Sequence, residues 1–265
     1  MATVCTLAAS GLGLRLLARP ARRCGGVAVR AASTRMPPPT SPHPHPDKPK
    51  DSLEMGDLVS IVATLGLTGS TIGTYMDGIH TRAQVLIYDK LPLVHGGLHT
   101  SAVVPPLLAG KRRAFYMSLG GLYLKADSWL LERGDSATEA AYRRCNLGTM
   151  CLSFGAVAAT LALSSVLYAS EVPPDQISLI LAACAAANYL VFDSTKQGLA
   201  LALLCALACP AAELMIMHIL QLWHYPGATL FTEIPHSGML AWVPWCYFAY
   251  TPAVAQLTRY LKKTA

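Results

Sequence analysis

From Gly56 onward the sequence alternates long apolar runs with short polar joints, and this alternation constrains the fold more than any other feature. About 20 apolar residues, each rising 1.5 Å along a helix, cover the roughly 30 Å hydrocarbon layer of a bilayer. The runs predict spanning helices over 57–76, 101–124, 146–169, 176–192, 198–222 and 238–258. The expected fold class is therefore all-α, a polytopic membrane protein with a six-transmembrane-helix bundle. Charge supports this, since only 14% of the 265 residues are Asp, Glu, Lys or Arg, against about 25% in soluble domains. A wholly disordered chain and a nucleic-acid module with a broad basic face are excluded at that density.

The net charge of +6 has a local origin. Six arginines (Arg15, Arg19, Arg22, Arg23, Arg30 and Arg35) lie in residues 1–35 with no acid among them, which leaves 15 basic against 15 acidic residues in the remainder. An Arg- and Ala-rich, acid-free leader without a continuous apolar core reads as an organelle transit peptide rather than a secretory signal. The stretch Val29-Arg30-Ala31 favours a plastid over a mitochondrion. The following segment, 36–55, is Pro-rich and reads as a linker, with 56–265 as the membrane domain.

Lys and Arg placement orients the spans. One side of a six-span chain would receive Lys48, Lys50, Lys125, Arg133, Arg143, Arg144, Lys196, Arg259, Lys262 and Lys263, ten in all, and the other only Arg82 and Lys90. The expected location is a chloroplast membrane, thylakoid or inner envelope, with both termini stromal; a mitochondrial inner membrane is the alternative. Lys111-Arg112-Arg113 resists this scheme, because each charge at the centre of a span opposes insertion by roughly 2.5–3.5 kcal/mol. Either the span slides back to Pro92–Gly110 with 114–131 on the interface, or the three residues are an insertion or a gene-model error.

Polar groups inside a bundle are costly and are the default functional candidates. Glu213 follows Pro210, which frees a carbonyl one turn earlier, and His218 lies five residues on. With Asn188 in the fourth span, these are the candidate ligand contacts. Asp193, in the short joint Phe192–Gly198, reads either as a cap on the next helix or as a docking point for a partner. His95 and His99, spaced as H-x-x-x-H, are weak metal candidates, since two adjacent glycines disfavour a helix there and chelation needs more ligands. No cofactor is expected. A membrane-embedded transporter or metal-dependent lipid-modifying enzyme using His80, His95, His99 and Glu213 is the rival class.

Several motifs resemble one family. Val103-Val104-Pro105-Pro106 with Gly110, Asp127-Ser128, the joint Phe192-Asp193 with Gly198-Leu199, and Trp242-Val243-Pro244-Trp245-Cys246 occur in the order seen in insulin-induced gene (INSIG) proteins. The likeness covers about 55–265 and is most similar to a plastid-targeted plant or algal branch. It implies a non-enzymatic membrane regulator that binds a sterol-like lipid within the bundle and docks to a partner membrane protein, with Asp193 as the partner-binding aspartate and Pro105, Pro106 and Gly198 as structural positions. The leader, the His- and Gly-rich first joint, Lys111–Arg113 and the Trp223–His236 loop depart from that pattern.

Overall fold

A computed structural model gives the architecture. The chain divides after Lys48, and the described residues, 55–95, 98–101, 104–235 and 237–265, all fall in the second unit, Pro49–Ala265. The leader and all of the linker except Met55 lie outside them. The described residues form seven helices: α1 Met55–Arg82, α2 Val104–Glu132, α3 Ser136–Arg144, α4 Leu147–Ala169, α5 Pro174–Phe192, α6 Lys196–Leu220 and α7 Val243–Thr264. Six of them are 19 residues or longer and sit where the apolar runs lie. Four, α1, α4, α5 and α6, are long and apolar enough to cross a membrane, whereas α2 and α7 are too polar by composition. The chain is thus a helical membrane protein, and the count of six spans does not follow from length and apolarity alone.

The polarity of α7 has a physical cause. This helix packs against all five of the other long helices, and residues 251–259 are buried without a break, including Thr251, Gln256, Thr258 and Arg259. A helix surrounded by protein contacts no lipid, so its polar groups are satisfied by neighbours instead of being excluded. Around it the order is inverted relative to a soluble domain. Leu152, Leu179, Leu190 and Leu207 on the outer helices are more than 60% exposed, a surface suited to acyl chains rather than water.

Close approach depends on one glycine in α2. A Cβ on Gly120 would lie 2.5 Å from Leu65 Cδ1 of α1 and 3.0 Å from Thr258 Oγ1 of α7, so the three backbones meet there only because the side chain is missing.

The segment before α2 does not form the span over Pro92–Gly110. Pro92–His95 and Leu98–Ser101 form an antiparallel hairpin, β2 and β3, pairing Val94 with His99 and His95 with Leu98. No span occupies 92–110. Instead α2 starts at Val104, with Pro105 and Pro106 in its first turn where missing N–H groups cost nothing. It continues through Lys111–Arg113 to Glu132, which places Asp127-Ser128 within α2 rather than after it. Lys125 also lies inside α2 and Arg259 inside α7, so these two of the ten charges assigned to one side are not in joints. The preceding β1, Ile87–Tyr88, pairs with β4, Trp223–His224, and ties this end to the loop after α6.

The short α3 is held by its cap. Asp135 accepts from the Thr138 amide at 2.8 Å and the Thr138 hydroxyl at 2.6 Å, and these bonds hold its carboxyl below the ordinary value of 3.8. A depressed pKa means that the contribution is present above the unfolded value and is lost as pH falls through the folded one. The Thr138 amide signal should therefore titrate with a midpoint below that of a free aspartate. Replacement of Asp135 by alanine should abolish that titration; an unchanged profile in the variant would show that the cap does not govern it.

Candidate functional site

The most concentrated chemistry lies where α7 meets α2 and the α5–α6 joint. Arg259 is fully buried, and its guanidinium serves two aspartates: Nε donates to Asp127 Oδ2 and Nη1 to Asp193 Oδ1, both at 2.8 Å, while Nη2 reaches Asp127 Oδ1 at 3.3 Å. The carboxylates have further donors. The Tyr123 hydroxyl gives a bond of 3.0 Å to Asp193 Oδ2, and the Thr195 hydroxyl one of 2.8 Å to Asp193 Oδ1. Gln197 Nε2 bonds Asp127 Oδ1 at 2.7 Å and Thr138 Oγ1 at 3.0 Å. Two buried acids on one guanidinium are tolerable only with such supplementary hydrogen bonds, because removal from water costs each charge several kcal/mol. Five elements (α2, α3, the α5–α6 joint, α6 and α7) are thereby pinned to one another.

The joint is short and fully specified. Thr195, not Asp193, caps α6, its hydroxyl accepting from the Gly198 amide at 3.1 Å. Asp193 instead ends α5 with its carboxylate turned inward and no exposed surface. The local-cap reading is therefore corrected: a carboxylate drawn to Arg259 is not available to the α6 amides. Gly198 is required beside it, since a Cβ there would lie 1.8 Å from Asp193 Oδ2.

Glu213 sits on α6 half-buried, accepting from the Tyr225 hydroxyl at 2.9 Å and from the Tyr247 hydroxyl of α7. Burial first, and the Glu213 carboxylate second, push the Tyr225 phenol well above its ordinary value, so it donates as a neutral group. His218 is exposed and approaches the Pro235 carbonyl at 3.3 Å, facing the loop rather than Glu213's hydrogen-bond partners. Asn188 is buried on α5, away from both. The three residues read as ligand contacts thus do not form one site.

His80 Nε2 lies 2.8 Å from Ser164 Oγ, and its ring stands edge-on to Trp242. The side chains of His95 and His99 lie outside the described residues, as does His236. Among the described residues no three His, Cys, Asp or Glu side chains gather as metal ligands do. A shallow groove of about 460 Å³ at the hairpin end is lined by Asp89, Lys90, Gln221 and His224, where His224 Nδ1 pairs with Asp89 at 2.9 Å.

No protein-family model matches the sequence, and no curated protein does. Solved structures do match. The chain superposes on the crystal structure of a mycobacterial Insig homolog, MvINS from Mycobacterium vanbaalenii, with a TM-score of 0.59 and 20% identity, over 77% of this chain and 95% of that one. The fold is Insig-like. A cross-linked trimer of a cysteine variant of MvINS gives a TM-score of 0.58 and 21% identity, over 76% of this chain and 93% of that one. On the Insig-like fold the ion network marks the interior end of the α5–α6 joint. Its Arg259 is the participant that sequence reasoning missed, having been assigned to the charges that follow the last span. A signal was present, since Thr251, Gln256, Thr258 and Arg259 together make this stretch too polar to face lipid.

Proposed function

We propose that the chain is a non-enzymatic Insig-like membrane protein of the plastid, binding a lipid, sterol-like or isoprenoid ligand, a partner membrane protein, or both, in a regulatory or assembly role. The observation that carries this reading is the use made of its interior acids. Asp127 and Asp193 are engaged by Arg259, and Glu213 by Tyr225 and Tyr247, as anchors between segments of the bundle. The Insig-like fold supports the same reading, and the Arg-rich leader supports the plastid. Partner docking runs through the outer surface of the α5–α6 joint, whose shape Asp193 fixes from within. The cross-linked trimer of the MvINS cysteine variant makes a second copy of the chain one partner to test for.

The test is native purification from thylakoid and envelope fractions, with identification of co-purified proteins and extracted lipids. A defined protein or lipid should recur in stoichiometric amount. Failure of any protein or lipid to recur would overturn the binding role. Failure of residues 1–35 to carry a fluorescent reporter into plastids would overturn the location.

A further inference from the structure

Two apolar segments stand outside the long helices, at the end of the bundle where α1 and α6 finish. One is the β2–β3 hairpin with its approach, where Leu91, Leu93 and Val94 are exposed. Leu93 and Val94 are consecutive on β2, so they point to opposite faces of the ribbon, and each face carries an apolar side chain away from the core. The other is the loop 229–235 between β4 and α7, where Leu230, Phe231 and Ile234 are exposed. A two-stranded ribbon is marginal in water, and apolar side chains gathered on a surface mark a place that something covers.

Their depth says what covers them. The loop does not project beyond α6 but folds back beside it. Its Pro235 carbonyl lies 3.3 Å from His218 Nδ1, on the side of α6 where Met215 and Ile219 are 64% and 67% exposed. The apolar loop thus continues the lipid-facing surface of that helix. The hairpin starts from the same level, because Lys90 Nζ donates to the Leu220 carbonyl at 2.7 Å. From Lys196 to His218 is about 33 Å at 1.5 Å per residue, close to the roughly 30 Å of hydrocarbon in a bilayer. Both segments therefore sit where acyl chains give way to headgroups. Neither is free to withdraw. Leu230 and Met239 exchange backbone hydrogen bonds of 2.9 Å, and Met239 is buried in the core; Ser101, which ends the hairpin, is fully buried.

Charge sets the kind of contact. Among the described residues of the joints at this end, Asp89, Glu171 and Glu233 stand against Lys90 alone, and the adjoining helix turns add Arg82 and Asp175, which cancel. Anionic headgroups are drawn to basic segments, so an acidic surface is held by its apolar side chains instead. We propose that the β2–β3 hairpin and the 229–235 loop are seated in one phospholipid leaflet, by apolar contact at the boundary between headgroups and acyl chains. This goes beyond the reading above, since it needs a membrane protein but neither an internal ligand nor a partner protein.

The test uses the full chain in phosphatidylcholine nanodiscs, with the photoreactive residue p-benzoylphenylalanine in place of Phe231 or, separately, of Val94. Both side chains are exposed, and the first replacement keeps the aromatic ring, so the fold survives. Irradiation should give phosphatidylcholine adducts, identified by mass spectrometry, at both positions and at the lipid-facing Leu207. The same residue in place of Glu171, in the exposed joint at the same end, should give about tenfold fewer, the partition ratio that burial of one large apolar side chain supplies. Adding phosphatidylglycerol or raising the salt should leave the yields unchanged. Yields at Phe231 and Val94 no higher than at Glu171, adducts with a second copy of the chain in place of lipid, or a yield that needs phosphatidylglycerol would each overturn the proposal.

Discussion

Arg259→Met should destabilise the bundle by about 3–5 kcal/mol, the cost of leaving buried charges without their partner. The substitution preserves length and apolar volume, so the loss reports the charge rather than a cavity. Asp127 and Asp193 would then face each other across a dry contact, with only Tyr123, Thr195 and Gln197 as donors. Arg259→Lys should fare little better. An ammonium is a point charge and cannot give parallel bonds to carboxylates on two helices as the planar guanidinium does. The triple replacement Arg259→Met, Asp127→Leu and Asp193→Leu should recover much of the loss, because a well-packed apolar substitute for a buried ion cluster is often neutral or better. Thermal denaturation in detergent, followed by loss of monodisperse protein, measures all three. A single Arg259→Met variant with the wild-type midpoint would mean that the network contributes nothing to stability.

Gly198→Ala is the second large effect. The added Cβ would stand 1.8 Å from Asp193 Oδ2, 2.5 Å from its Cγ and 2.8 Å from Thr195 Oγ1. Overpacking by one carbon ordinarily costs about 1–3 kcal/mol. Here the cost should reach the top of that range or exceed it, because the displaced group is the carboxylate that Arg259 holds. The mechanism makes a further prediction about coupling. In an Asp193→Ala background the clash is gone, so Gly198→Ala should add almost nothing, a plain failure of additivity between neighbours. Additive losses in the double variant would show that the two residues act separately.

Helix positions were legible because apolar runs of spanning length mark their own extent; α4, α5 and α6 begin and end within about two residues of where the runs do, the usual scatter at helix ends. The start of α2 was not, because hydropathy does not separate a β-hairpin such as Pro92–Ser101 from the opening of an apolar helix. Its end was missed because Lys125 and Asp127 read as the edge of a span, when both belong to a helix that continues to Glu132. The candidate site was half legible. Asp193 stands out as an acid in a tight joint, and Glu213 as an acid in an apolar run. Their partners do not, since Arg259 is 66 residues from Asp193 and 132 from Asp127. Pairing over such distances leaves no periodic trace, and a lone arginine near the end of a helix looks like any topological charge.

The burial of α7 bears on how the protein is made. A helix this polar would not stay in a bilayer by itself, yet its neighbours provide contacts from five sides. In chain order it follows every helix it packs against, so α7 is synthesised after all of its neighbours. Until Arg259 is seated, Asp127 and Asp193 have only the donors of Tyr123, Thr195 and Gln197.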